Sequence, residues 1–112
     1  METLTAKNNT RLALLKKLRK ELPQIMELDA AKWDTTYQDG ALSRKTKRLM
    51  ALAIGLRAGC ENCIIAQTMH AIDAGATRAE IMETISVNMA MSGTTGVGEG
   101  LKVIQLLDEL GL

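Results

Sequence analysis

Hydrophobic residues along this chain recur every three or four positions, which is the period of an α-helix. An apolar stripe with lysines and arginines on its opposite side predicts a first helix over about residues 5–21. The stripe is made of Leu12, Leu15, Leu18 and Leu22. Pro23 either ends this helix or lies in the first turn of a second, which runs to about Tyr37.

The middle of the chain predicts two helices with clear boundaries. Ser43 is a favourable N-cap for a third helix over about residues 44–58, and Gly59 ends it. The apolar face of this helix holds Leu49, Leu52, Ala53 and Leu56. A fourth helix is predicted from about Cys60 to Ala74.

The last third of the chain predicts a fifth and a sixth helix. Residues 77–80 read as a capping box for a helix that reaches about Met91. This helix is apolar nearly all round, so we expect it to be buried, either centrally or at a subunit contact. Four glycines in 93–100 predict a glycine-rich start to the last helix, whose apolar residues lie in 101–110. The glycines lack the Lys-Ser/Thr ending and the preceding strand of a phosphate loop, which favours close packing or a hinge.

No segment alternates with period two, so the predicted fold class is all-α, one domain over residues 1–112 with about six helices. Hydrophobic residues make up 46% of the chain, but Phe is absent and Trp33 and Tyr37 are the only aromatics. The core must therefore consist of aliphatic side chains and methionines. A chain of 112 residues with an apolar helix has little surface to spare, so we expect a homo-oligomer.

Charge and hydropathy exclude some classes of binding partner. The net charge of +1 argues against nucleic acid. Residues 1–59 carry 12 Lys/Arg against 6 Asp/Glu, whereas residues 60–112 carry 2 against 7. The two halves are either solvated faces or surfaces that meet within or between chains. No apolar run approaches the roughly 20 residues of a membrane span and no signal peptide is visible, so we expect no membrane partner and a cytoplasmic location.

Both cysteines lie in the motif Cys60-Glu-Asn-Cys63, at the predicted start of the fourth helix. Thiols at this spacing can close a disulfide, and a helix N-terminus favours the thiolate. Zinc would need four ligands, and the chain adds only His70. Haem attachment needs histidine after the second cysteine, where Ile64 stands, and a thioredoxin-type site needs a preceding strand. The remaining alternatives are a redox dithiol, which we favour, and two inert buried cysteines.

Helical spacing indicates which side chains can reach the thiols. Gln67 follows Cys63 by four residues and lies on the same face, where it can hydrogen-bond without exchanging a proton. His70 lies about 10 Å along the axis from Cys63, so contact needs a water or a neighbouring subunit. His70 is either structural or a catalytic group.

Three segments together resemble the carboxymuconolactone decarboxylase family, and more narrowly its alkylhydroperoxidase D-like branch. They are residues 42–53 (LSRKTKRLMALA), 60–64 (CENCI) and 74–81 (AGATRAEI), and the resemblance covers about residues 24–108. It implies an all-helical subunit that assembles as a trimer or a trimer-based hexamer. It also implies peroxidase or disulfide-reductase activity, with Cys63 as the attacking thiol and Cys60 as the resolving thiol.

Two positions depart from the pattern of that branch. Its relay glutamate lies twelve residues before the first cysteine, where this chain has Arg48, and its relay histidine lies four residues after the second, where this chain has Gln67. The family's proton path therefore does not carry over as written. As a hypothesis, Arg48 lowers the pKa of a nearby thiol and His70 replaces the missing histidine.

The sequence thus predicts a thiol-dependent peroxidase (peroxiredoxin-type activity) or a dithiol–disulfide oxidoreductase that needs no bound cofactor and no metal. Its expected partners are a peroxide or small disulfide substrate, a dithiol reductant and further copies of the chain. The alternatives are a decarboxylase or lactone-processing enzyme with incidental cysteines, and a non-enzymatic redox-sensing oligomer.

Overall fold

Six α-helices make up the fold of this computed structural model, which describes residues 2–112. They are α1 (Leu4–Glu21), α2 (Pro23–Thr36), α3 (Arg44–Ala58), α4 (Glu61–Asp73), α5 (Arg78–Ser92) and α6 (Thr94–Glu109). No strand occurs within these residues, so the all-α prediction is confirmed. None of the helices in this part of the chain has both the length and the apolarity that crossing a membrane requires.

Local capping explains most of the helix boundaries. The hydroxyl of Ser43 accepts the backbone N–H of Thr46 at the start of α3, and Gly59 ends that helix in the left-handed conformation at φ 68°. Thr77 and Glu80 form the predicted capping box at the start of α5. Pro23 lies in the first turn of α2, where its missing N–H costs no helical hydrogen bond.

The hydrophobic core lies between α3, α4, α5 and α6. Fully or almost fully buried aliphatic side chains from all four helices form one cluster: Leu52, Leu56, Ile64, Ile81, Ile85, Val103 and Leu107. A second cluster joins α1 to α4 and α6 through Leu4, Ile65 and Leu106. The helix α2 packs mainly on α1, so the α1–α2 pair lies beside the core.

The predicted glycine-rich start of the last helix lies mostly within α6: Gly93 is its N-cap, and Gly96, Gly98 and Gly100 lie in its first two turns. A Cβ on Gly96 would lie 2.9 Å from Met89 Cα, and one on Gly100 would lie 2.7 Å from Ile85 Cγ2. The glycines at these two positions therefore bring α6 against α5, which confirms close packing as their role.

Two predicted apolar faces remain uncovered in the single chain. In α1, the stripe of leucines is mostly exposed, and only Leu4 and Asn8 are buried. In α5, Ile81 and Ile85 are buried, but Met91 at the far end is 79% exposed. The single chain therefore does not bury α5 all round, and burial at a subunit contact stays a prediction.

The N-terminus of α1 is held by a carboxylate from α6. Glu109 accepts the side-chain amide of Gln105 and the backbone N–H groups of Thr5, at 2.8 Å, and Leu4, at 3.2 Å. These bonds favour the ionised form and hold the pKa of Glu109 at about 2. A negative charge at a helix N-terminus also stabilises the helix dipole.

Candidate functional site

The two cysteines lie at the start of α4, as predicted. Gly59 turns the chain out of α3, and Cys60 follows in extended conformation as the N-cap of α4. The backbone N–H of Cys63 donates to Cys60 Sγ at 3.2 Å. Both thiols are free, Cys60 is partly exposed and Cys63 is exposed. The sulfur of the first cysteine thus replaces the usual cap oxygen and faces the helix N-terminus.

The hydrogen bonds within the pair separate the two thiols in acidity. The thiol of Cys63 donates to Cys60 Sγ, and together with the Cys63 N–H it lowers the pKa of Cys60. The same bond favours the protonated form of Cys63 and raises its pKa, and burial adds to this rise. The first thiolate of the pair therefore forms on Cys60.

An apolar groove of about 600 Å³ opens beside Cys63, between α4, α3 and the end of α2. Its aliphatic wall includes Leu42, Met50 and Ile54, and Cys63 and Gln67 lie along the α4 side. Cys60 does not line it. A substrate lying in this groove meets the second cysteine rather than the first.

Gly55 sets the distance between α3 and α4 at this groove. It is buried, and a Cβ at this position would lie 3.2 Å from Cys63 Cβ. The lack of a side chain therefore lets the cysteine helix approach α3. Gly55 is not among the residues that the sequence indicated, although a glycine beside the apolar stripe of a helix is a signal of close packing.

Arg48 and Gln67, the two positions that depart from the family pattern, contact each other. Arg48 Nη1 donates to Gln67 Oε1 at 3.3 Å, and its guanidinium lies 3.5 Å from the centroid of the Tyr37 ring. Arg48 Nε is buried without a hydrogen-bond partner, and burial lowers the pKa of the guanidinium. The contact joins residues 19 positions apart across the α3–α4 pair, which no local pattern indicates.

Arg48 is not among the groups that shift the pKa of either thiol. Its charge acts instead on His70, three residues beyond Gln67 on α4. Burial lowers the pKa of His70, and the positive charge of Arg48 lowers it further. His70 is partly buried and does not line the groove beside Cys63. The geometry therefore brings Gln67, and not His70, to the groove.

The opposite side of the cysteine motif is tied to α1. Glu61, between the two cysteines, accepts Lys7 Nζ at 3.1 Å. Both side chains are about two-fifths exposed, so this ion pair contributes at most about 1 kcal/mol. It orients the first turn of α4 relative to α1. Within residues 2–112, no group of three or more His, Cys, Asp or Glu side chains is placed to hold a metal ion.

Comparison with known proteins identifies the family. The sequence profile of the carboxymuconolactone decarboxylase family matches residues 23–105. An uncharacterised protein from Cupriavidus necator is 33% identical over 73 residues, which are 65% of this chain and 65% of that protein. Uncharacterised protein 4 of the cox locus from Paracoccus denitrificans is 35% identical over 74 residues, 66% of this chain and 67% of that protein.

A solved structure shares the fold over nearly the whole chain. The apo crystal structure of a carboxymuconolactone decarboxylase family protein from Legionella pneumophila has a TM-score of 0.82 and 30% identity. The alignment covers 95% of this chain and 92% of that one. Taken with the profile match over residues 23–105, the chain belongs to the carboxymuconolactone decarboxylase family.

Proposed function

We propose that the protein is a thiol-dependent oxidoreductase whose Cys60–Cys63 pair cycles between dithiol and disulfide, with a peroxide or a small disulfide as oxidant. One observation carries the proposal: Cys60 Sγ accepts the backbone N–H of Cys63 at a helix N-terminus, and Cys63 lies open to a groove. Buried inert cysteines have neither feature. The resemblance to the alkylhydroperoxidase D-like branch supports the same chemistry.

The two sulfurs have different parts in this cycle. The Cys60 thiolate takes the proton of the Cys63 thiol, and the Cys63 sulfur attacks the substrate in the groove. With a peroxide, an S–O bond forms as the O–O bond breaks, which leaves a sulfenic acid on Cys63 and an alkoxide that takes a proton from water. After Cys60 loses its proton to solvent, its sulfur attacks Cys63, the disulfide forms and hydroxide departs as water.

A dithiol reductant completes the cycle by thiol–disulfide exchange. The cycle uses no bound cofactor, and the exposed position of Cys63 allows a reductant to reach the disulfide. We therefore propose a dithiol protein or a small dithiol carrier as the reducing partner.

We also propose that copies of this chain assemble through the exposed ends of α3 and α5. Ile54 is 68% exposed, Val87 60% and Met91 79%, and with Ala53 and Arg57 they line a shallow apolar cavity of about 240 Å³. Exposed apolar patches mark interaction sites. The opposite charges of the two halves of the chain, +6 and −5, favour a second copy as the occupant. The resemblance implies a trimer or a trimer-based hexamer.

Turnover by cysteine variants tests the redox function. Reduced protein is mixed with a hydroperoxide or a small disulfide in the presence of a dithiol, and oxidant consumption is followed for wild type, Cys63→Ser and Cys60→Ser. We expect turnover by wild type alone, and a trapped sulfenic acid or mixed disulfide on Cys63 in Cys60→Ser. A decarboxylase or lactone-processing enzyme would keep its own turnover in Cys63→Ser, and such turnover would contradict the proposal. Oxidant consumption by Cys63→Ser at the wild-type rate would also contradict it.

A redox-sensing oligomer without catalysis gives a different result. Oxidation of the wild type would then change the mass of the assembly, measured by light scattering, while oxidant turnover stays at the level of Cys63→Ser. That result would also overturn the enzymatic proposal. Reduction of a test disulfide without peroxide consumption would restrict it to the disulfide-reductase branch.

A further inference from the structure

Arg48 fixes the orientation of the Gln67 amide. A guanidinium can only donate hydrogen bonds, so the atom that meets Arg48 Nη1 at 3.3 Å is the amide oxygen of Gln67. The amide nitrogen Nε2 is consequently turned away from Arg48, and it has no hydrogen-bond acceptor within residues 2–112. Gln67 lines the groove, one helical turn beyond Cys63. The two N–H groups of Nε2 can therefore donate to a molecule bound in the groove.

The groove offers a departing group few sources of a proton. None of its described lining residues carries a carboxyl or an imidazole. Lys47 Nζ is engaged by the backbone oxygens of Thr36, at 2.9 Å, and Gln38, at 2.7 Å. The remaining polar side chains of the groove are the hydroxyls of Thr36 and Tyr37, and the Tyr37 ring lies against Arg48. An amide can stabilise an anion by hydrogen bonds but keeps its protons.

We propose that Gln67, oriented by Arg48, binds the departing sulfur of a disulfide substrate, so that the substrate class of this site is a small disulfide rather than an alkyl hydroperoxide. This inference rests on the proposed thiol chemistry. Gln67 is a catalytic residue in it because it touches the leaving group, and Arg48 is a positioning residue that acts through Gln67.

The step balances without a further reactant. The Cys63 sulfur forms an S–S bond with one sulfur of the substrate, and the electron pair of the broken bond goes to the other sulfur, which leaves as a thiolate bound by Gln67 Nε2. The proton of Cys63 goes to Cys60. After that proton is lost to water, Cys60 attacks the Cys63 sulfur and releases the second thiolate. The substrate gains two electrons and the protein dithiol is oxidised to its disulfide.

The preference for disulfides follows from the stability of the two leaving anions. An unperturbed thiol ionises with a pKa of about 8.5, so its thiolate leaves without a proton. Water and alcohols are far weaker acids than a thiol, so an alkoxide is a much stronger base than a thiolate and takes up a proton as it leaves. A groove with an amide donor beside the attacking sulfur serves the first kind of leaving group.

The test is a leaving-group series. Reduced protein is mixed anaerobically with a set of diaryl disulfides that release thiols of increasing acidity, with one dialkyl disulfide and with tert-butyl hydroperoxide. The rate of the first turnover is measured for each oxidant. The variants are Gln67→Leu, Arg48→Leu, the double variant and Tyr37→Phe. Gln24→Leu, on the exposed side of α2, controls for the loss of a glutamine elsewhere. Circular dichroism and thermal unfolding check that each variant folds.

We expect Gln67→Leu to slow the reaction with the dialkyl disulfide about 10-fold or more. The reaction with the diaryl disulfide that releases the most acidic thiol should slow least, because a hydrogen bond matters most for the poorest leaving group. Arg48→Leu should likewise make the rate depend more steeply on the acidity of the departing thiol. The double variant should react no more slowly than Gln67→Leu. Tyr37→Phe and Gln24→Leu should show the same dependence of rate on thiol acidity as the wild type. The wild type should react faster with disulfides than with the hydroperoxide.

Other results overturn the inference in identifiable ways. If Gln67→Leu slows the reaction with every disulfide equally, the role of Gln67 is structural. If the rate losses of the two single variants multiply in the double variant, Arg48 acts independently of Gln67. A steeper dependence of rate on thiol acidity in Tyr37→Phe would mean that the Tyr37 phenol, and not Gln67, binds the leaving group. A wild type that reacts fastest with the hydroperoxide would refute the substrate class. Failure of wild type to react with any oxidant would instead refute the proposed thiol chemistry itself.

Discussion

Replacing Gly96 by alanine tests whether α6 depends on glycine to reach α5. A Cβ at Gly96 would lie 2.9 Å from Met89 Cα and 3.0 Å from the backbone oxygen of Asn88. Carbon atoms in favourable contact are about 3.5–4.0 Å apart. Both neighbours are backbone atoms, so α6 must move away by roughly 0.5–1 Å, since no side chain can rotate aside.

The magnitude follows from two opposing effects. Overpacking of this kind costs about 1–3 kcal/mol. Alanine in place of a helical glycine gains roughly 0.5–1 kcal/mol. We therefore expect Gly96→Ala to lower the free energy of unfolding by about 1–2 kcal/mol, which is a fall of roughly 4–8 °C per kcal/mol in the melting temperature for a domain of this size.

Gly98 provides the matched control on the same helix. It is exposed, and a Cβ there would have no atom within 4 Å. Gly98→Ala should therefore gain the helix propensity without the clash and raise the free energy of unfolding by about 0.5–1 kcal/mol. Urea denaturation at one protein concentration measures both variants, because assembly makes stability depend on concentration. Equal stability changes for the two variants would mean that contact with α5 does not require glycine at position 96.

Three further predictions concern acidity and assembly. Cys63→Ala removes the thiol that donates to Cys60, so the pKa of Cys60 should rise, and the pH at which Cys60 is half-alkylated by iodoacetamide should rise with it. Glu109 has a pKa of about 2 in the fold against 4.5 ordinarily, so its stabilisation is present above pH 4.5 and is lost as the pH falls toward 2. Glu109→Gln should flatten this acid-side loss of thermal stability, and an unchanged pH profile would contradict that assignment. Met91→Glu should lower the assembly mass in light scattering, whereas the exposed Ser86→Glu on the same helix should not.

The sequence predicted the helices best where a cap marks their ends. Ser43, Gly59 and Thr77 act as the pattern indicated, because capping depends on residues within one turn. The start of α6 could not be predicted in this way. Its glycines resemble a loop in the sequence, and the reason they are helical is their contact with α5, which is a tertiary effect.

The candidate site was predictable in part. The position of Cys60 and Cys63 at a helix start follows from local spacing, and the structure confirms it. The contact between Arg48 and Gln67 depends on how α3 crosses α4, so each residue could be noticed separately but not as a pair. The division of acidity between the thiols likewise depends on the direction of a hydrogen bond that spacing does not determine.

The most direct test of the central claim, that the two sulfurs form a redox pair within one chain, is the intact mass of the oxidised protein. Reduced protein is mixed anaerobically with one equivalent of a small disulfide or of a hydroperoxide, and thiols and mass are then measured. We expect the loss of both thiols, a mass lower by about 2 Da and a peptide in which Cys60 is joined to Cys63. Two thiols that persist with both oxidants, or a disulfide only between chains, would contradict it.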